Sequence, residues 1–230
     1  MALTSSDATS PWPVVLSHLA DLELAGVQQF RHFLDEAPTL EDRWQLMQCQ
    51  KDQMGAARGL LKLARATGLS AQQEHDLMFR ALGDHAFEGA RRRLQEWEEA
   101  AAQLVVMSEA QISLLRLLSK RGDEALDKFA ASSIIEKEVH VRFGLLVLRR
   151  RAQQTDLART QRLLAAAAPV SLEAFDGITA AAGALLPPAD RSAARMALQQ
   201  RLEQAAAALR PHVDTPRRPA HPEEPTGAYG

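Results

Sequence analysis

Glu136 and His140, within the run SSIIEKEVHVRFG, lie one helical turn apart on a face shared by Phe129 and Phe143. A carboxylate and an imidazole placed this way point into a core, where an acid is costly unless it is paired, hydrogen-bonded or bound to a metal. Three further polar residues interrupt apolar stripes at helical spacing. Glu23 falls among Leu16, Leu19, Val27 and Phe30, Gln53 among Leu46, Cys49, Ala56 and Leu60, and Glu109 between Val105 and Ile112. Each comes roughly 11 to 16 residues into its helix, so an up-down bundle of similar helices would set all four at one level.

Dimetal carboxylate bundles use such a level. One Glu from each of two helices and a Glu-x-x-His pair from each of the other two hold the metals, leaving coordination positions open for oxygen. Glu23 and Glu109 fit the single-acid helices, and Glu136 with His140 fits one paired helix. Gln53 contributes only a neutral oxygen and Ala56, one turn on, contributes nothing. The spacing at the other pair is Glu-x-x-x-His, because Lys137 stands three before His140, and Glu138 points away by about 200° of helix rotation. The candidate metal ligands are therefore Glu23, Glu109, Glu136 and His140, with no catalytic residue or organic cofactor site identified. The expected cofactor is none or a residual non-heme iron. In a metal-free cluster Glu136 and His140 would form a buried acid–imidazole pair, with Lys137 or Lys128 balancing charge. Three acids cannot all ionise in an apolar interior, so His140 would be protonated or one carboxyl neutral.

The elements that must carry these residues are helices. Ala, Leu, Gln, Arg and Glu dominate and Tyr occurs once, a composition of strong helix formers. Pro11 and Pro13 start a first helix to about Leu34, and Pro38-Thr39-Leu40-Glu41-Asp42 breaks, caps and starts a second to about Gly68. Ser70 caps a connecting segment to about Phe87, interrupted at Gly83 and Gly89. A third long helix runs from about Arg93 to Lys120, Gly122 closes it, and a fourth spans about Asp123 to Ala152. Shorter helices follow over roughly Asp156–Ala167, Ser171–Leu185 and Asp190–Leu209. This divides the chain into a flexible N-terminus (1–11), a bundle (12–152), C-terminal helices packed on it (153–210) and a disordered Pro-rich tail (211–230).

Composition narrows the function classes. The net charge of −2 with mixed signs gives no electrostatic case for nucleic acid, and Arg91–Arg93 and Arg149–Arg151 read as solvated helix faces. Neither a signal peptide nor a membrane span is read, and the single Cys49 fits a reducing compartment, so a cytoplasmic location is expected.

KDQMGAARGLLKLARATG at 51–68 resembles the DELGHARALY-type segment of the A and C subunits of phenylacetyl-CoA epoxidase, the phenylacetic acid catabolic family. Asp52, Gly55, Ala57 and Arg58 match that motif, while Gln53 replaces its Glu and Ala56 its His. APTLE at 37–41, QEWEEAAAQLVV at 95–106 and EKEVHVRFG at 136–144 resemble its other segments, in order, over about residues 14 to 150. The resemblance implies an all-α, ferritin-like antiparallel four-helix bundle, here with extra C-terminal helices. It also implies an epoxidase whose A subunit holds the di-iron centre and whose related C subunit has lost ligands and serves as a structural partner. The departures at Gln53, Ala56 and the Glu136-to-His140 spacing run toward the C subunit.

Two functions follow as expectations. The first is a structural or scaffolding subunit of a multicomponent monooxygenase with a degenerate di-iron site, partnered by a homologous catalytic ferritin-like subunit or by itself. The second is a non-heme iron oxygenase with an altered dimetal site, acting on an acyl-CoA or aromatic substrate. An iron-storage protein is a weaker third.

Overall fold

The computed structural model describes residues 10–121, 124–154 and 156–210, and these form helices with no strand among them. In chain order they are α1 (Trp12–Phe30), α2 (Phe33–Glu36), α3 (Leu40–Ala66), α4 (Ala71–Met78), α5 (Glu88–Arg91), α6 (Trp97–Ser119), α7 (Glu124–Gln154), α8 (Leu157–Ala181) and α9 (Pro188–Ala207), with short 3-10 turns at Leu82–Asp84 and Gly183–Leu185.

Local chemistry sets several boundaries. Thr39 is extended and its hydroxyl accepts the Asp42 amide, which starts α3 with Glu41 and Asp42 in the favourable first turn. Ser70 and Gln73 form a reciprocal capping box on α4. Gly68, at φ 119°, ends the chain's run out of α3 with a backbone that a side chain would strain. Gly122 and the tail from Pro211 lie outside the described residues, as do residues 1–9.

Two of the expected boundaries differ. The first helix stops at Phe30, and the next residues form the separate short α2. The break expected between Ala167 and Ser171 is absent, and α8 runs unbroken through Pro169. Proline removes one backbone hydrogen bond, but Leu164, Ala167, Ala174 and Phe175 are all buried on one continuous face that holds the helix together across it. Ser171, rather than capping a new helix, donates its hydroxyl to the Ala168 carbonyl.

The long helices form two hairpins, α1 with α3 and α6 with α7, joined by the connection through α4 and α5. This is an all-α, ferritin-like arrangement. The hairpins meet where α3 and α7 run antiparallel, with Asp42 beside Arg150, Asp52 beside His140 and Gly59 beside Phe129. α8 and α9 pack on α6, which is consequently buried on every side: from Ala100 to Leu118 only Met107 and Arg116 escape burial. By length and composition α6 and α8 could cross a membrane, but α6 is the core helix of the bundle.

The connection between the hairpins is fastened to α1 by polar side chains. Asp21 is fully buried; its Oδ1 accepts from Arg80 Nη1 at 2.7 Å and meets His85 Nδ1 at 2.9 Å, and its Oδ2 accepts the Ala86 amide at 2.7 Å. Burial alone would raise its pKa, but the hydrogen bonds from His85 and Ala86 and the nearby cation hold it below the ordinary carboxylate value. Gln28 donates to the Arg80 carbonyl, and Gln29 to those of Gly89 and Arg92. One helix thereby satisfies the backbone of a segment that has little regular structure of its own.

Two glycines separate packing from propensity. A Cβ on Gly144 would lie 2.6 Å from Val105 Cγ2 and 2.9 Å from the Ala101 carbonyl oxygen, whereas one on Gly55 would meet nothing within 4 Å. Gly144→Ala is expected to destabilise the chain by roughly 1–3 kcal/mol through overpacking at the α6–α7 contact. Gly55→Ala should stabilise it by up to about 1 kcal/mol through helix propensity. Thermal or urea unfolding of both variants checks the opposite signs.

Candidate functional site: a lysine at the centre of the bundle

Lys137 and Glu23 are both buried between α7 and α1, with Lys137 fully so, and Lys137 Nζ donates to Glu23 Oε2 at 2.5 Å. Lys137 stands three residues before His140, the place of the acid in a Glu-x-x-His pair, so a side-chain cation occupies the level predicted for metal ions. Gln111 of α6 approaches Glu23 and favours its charged form. Burial pushes the Glu23 carboxyl above the usual carboxylate range, opposed by the Lys137 charge and hydrogen bond and by Gln111; Glu136 adds to the rise.

His140 is fully buried beside this pair, and its Nε2 lies 3.3 Å from Asp52 Oδ2 across the α3–α7 seam. Its pKa is lowered, first by burial and then by the Lys137 charge, with Asp52 opposing. A neutral ring that donates from Nε2 to Asp52 leaves Nδ1 as an acceptor, and among the described residues Nδ1 has no partner. Of the two ways foreseen for limiting charge, a protonated His140 or a neutral carboxyl, the direction here favours a neutral ring, with Lys137 as the cation of the cluster. Glu136 is only half-buried, and burial and the neighbouring Asp52 raise its pKa.

The four predicted ligands are not gathered into one site. Glu109 turns the other way, its Oε2 accepting from Arg201 Nε of α9 at 2.6 Å, and Gln111, about 200° further round α6, faces Glu23 instead. Gln53 lies against Gly26, where a Cβ would be 2.4 Å from Gln53 Nε2, and its Oε1 is buried without a partner. Cys49 is buried and free, its thiol pushed up to about 12 by burial and then by Asp52. Among the described residues no group of three or more His, Cys, Asp or Glu could hold a metal ion. The donor set does not fit a dimetal centre: one of its carboxylates is engaged by an ammonium, another by an arginine, and the imidazole by a carboxylate.

Asp52 and Gln111 carry the polar contacts here, and sequence reasoning assigned neither to the site. Asp52 sits four residues from Ala56 on the α7-facing side of α3, a phase visible only once α7 is placed. Gln111 could not be phased because α6 is buried around its whole circumference.

Two outcomes follow. Lys137→Met is expected to destabilise by about 3–5 kcal/mol, because it leaves Glu23 without its cation in an apolar interior. Lys137→Met combined with Glu23→Leu should recover most of that loss, and denaturation midpoints of the single and double variants decide it. The unfolded chain protonates His140 near 6.5 whereas the folded chain resists, so stability is complete above that pH and declines as pH falls through and below it. His18, also lowered chiefly by burial, acts in the same direction. Urea midpoints measured between pH 7.5 and about 5 should fall, less steeply than the two histidines alone would give because the raised carboxyls of Glu23 and Glu136 act in the opposite direction, and His140→Gln should flatten part of the slope.

The sequence matches the model of one protein family, phenylacetic acid catabolic protein, over residues 4–229. No curated protein matches it. The match includes the C-terminal helices as well as the bundle, and it agrees with the ferritin-like arrangement of α1, α3, α6 and α7. The chain belongs to the phenylacetic acid catabolic protein family, and its place is in phenylacetate catabolism.

Proposed function

We propose that the chain is a non-catalytic, ferritin-like subunit of the phenylacetyl-CoA epoxidase type, a structural partner whose di-iron site has degenerated. The observation that carries this reading is Lys137 Nζ against Glu23 Oε2 at 2.5 Å, at the level where metal ions would lie. An ammonium at that position compensates one carboxylate and repels a divalent cation, so it provides the charge balance of the interior without open coordination positions for oxygen. The remaining polar groups support the same reading. Asp52 is directed at His140, Glu109 at Arg201, and Gln53 and Ala56 supply no acid or imidazole on α3.

In this role the bundle's value lies in its shape and surface. A partner in the same family with both Glu-x-x-His pairs intact would hold the iron, and this chain would complete the assembly around it. Metal analysis of the protein expressed in iron-rich medium tests the proposal. Iron well below one per chain is expected, and about two irons per chain would overturn it in favour of an oxygenase.

A further inference from the structure

Among the described residues the outer surface of α3 and α7 is a broad helical face that α8 and α9 leave uncovered, since α9 packs on α6 and α8 packs chiefly on α6, with smaller contacts to α7 and α1. Two residue classes gather there. Among the described residues nine large apolar side chains are exposed, and six belong to this face: Leu40, Trp44 and Met47 of α3 and Ile135, Val139 and Leu146 of α7. Leu40 is 82% exposed, Ile135 64% and Trp44 55%. On each helix they recur at intervals of three, four or seven residues, which places them along the outward stripe. The antiparallel register of Asp42 with Arg150 and Asp52 with His140 brings Met47 level with Leu146.

The second class is cationic. Arg43, Lys51, Arg58 and Lys62 of α3 and Arg142 of α7 are exposed, and among the described residues none has an ion-pair partner. Elsewhere Arg80, Arg92, Arg121, Arg159, Arg195 and Arg201 are ion-paired, while Arg31, Arg93, Lys120 and Arg191 are scattered over other elements rather than gathered on one face. Of the acids near these cations, Asp52 is engaged with His140, Glu136 is half-buried and Glu138 pairs with Arg116, while Glu41 is exposed and accepts from Gln45. Gly55 lies between the two classes. It is exposed in mid-helix, and a Cβ there would meet nothing within 4 Å among the described residues, so no packing contact in them requires a residue that weakens α3.

We propose that this α3–α7 face is the docking surface for an acidic helical protein other than a second copy of this chain. Two copies apposed here would bring two sets of unpaired cations together, a repulsive arrangement. An acidic partner would neutralise them around an apolar centre anchored by Trp44. The bare backbone at Gly55 admits a side chain of a partner helix or close approach of its backbone, a shape feature that a fluid lipid surface would not use. The face measures about 40 Å by 20 Å from the helix rise and spacing, or ~800 Å², the usual share of one partner in a stable interface.

The choice of probe rests on the scaffold reading above. The full chain is titrated with a purified phenylacetic acid catabolic family homologue that keeps both Glu-x-x-His pairs, by sedimentation velocity and interferometry at low and high salt. A complex that weakens roughly tenfold or more between about 50 and 300 mM NaCl is expected. Lys51→Glu with Arg58→Glu, and separately Ile135→Glu, should each weaken it at least about tenfold, and Met196→Ala on α9 should leave it unchanged. Gly55→Ala should raise the thermal midpoint of the free chain and yet weaken the complex, a combination that a folding defect cannot produce. Absence of a complex, or affinity indifferent to these variants, overturns the proposal. So does a homodimer that the same variants dissolve, or variant-sensitive binding to phosphatidylserine vesicles without binding to the homologue. Iron content of the same preparations reports on the scaffold reading independently, so an iron-free chain that binds the homologue with affinity indifferent to these variants rejects this surface alone, whereas about two irons per chain rejects the scaffold reading.

Discussion

The ion pair between Lys137 and Glu23 is the constraint around which the interior is arranged. A lone carboxylate in that position would have to take up a proton or draw in a counter-ion, and a lone ammonium would face the same difficulty with opposite sign. Together they neutralise each other across α1 and α7, and Gln111 approaches the carboxylate from α6 and favours its charged form. Three of the four long helices thus converge on one carboxylate. The fourth joins through Asp52, whose contact with His140 crosses the seam between the hairpins. A polar level of this kind gives little net stability over an apolar filling. Its effect is on register, because sliding any of these helices by a turn would separate the charges.

Helix α1 shows how one element serves two polar environments. Asp21 and Glu23 are two residues apart and so lie on nearly opposite sides, the first facing the connection between hairpins and the second facing the core. Both are fully or almost fully buried, but their pKa values move in opposite directions. Asp21 is held low by its contacts with the His85 ring, the Ala86 amide and Arg80, whereas burial dominates at Glu23 and pushes it up. The contrast follows from the balance at each site: three partners outweigh burial at Asp21, whereas at Glu23 burial, with Glu136 adding to it, outweighs Lys137 and Gln111.

Much of the architecture was legible because it is encoded locally. The caps at Thr39 and Ser70, the all-α composition and the order of the long helices depend on neighbours a few residues away. Pro169 was misleading for the same reason: its local effect is to break a helix, and only the buried face shared by Leu164 and Phe175 overrides it. At the candidate site the residue types pointed to a polar level, but partners could not be assigned. Lys137 was visible as a cation that a metal site would not tolerate, and as one of two candidates for balancing charge. That it reaches Glu23 depends on a contact between residues 114 positions apart. Glu109 and Gln111 could not be distinguished, because a helix buried all round carries no polar face to fix its rotation. The pairing of Asp21 with His85 left no sequence signal.

The bond between Glu109 and Arg201 bears on the order in which the chain can mature during synthesis. α6 lies near the middle of the chain, yet the cation that answers its buried acid belongs to α9, some 92 residues later. A nascent chain that has released both hairpins from the ribosome still exposes the apolar back of α6 and an unanswered carboxylate upon it. At roughly 5–20 residues per second, several seconds pass before α8 and α9 emerge to cover that surface. Completion of the core is therefore a late event, and in that interval the exposed back of α6 is the part of the protein most in need of shelter by a chaperone.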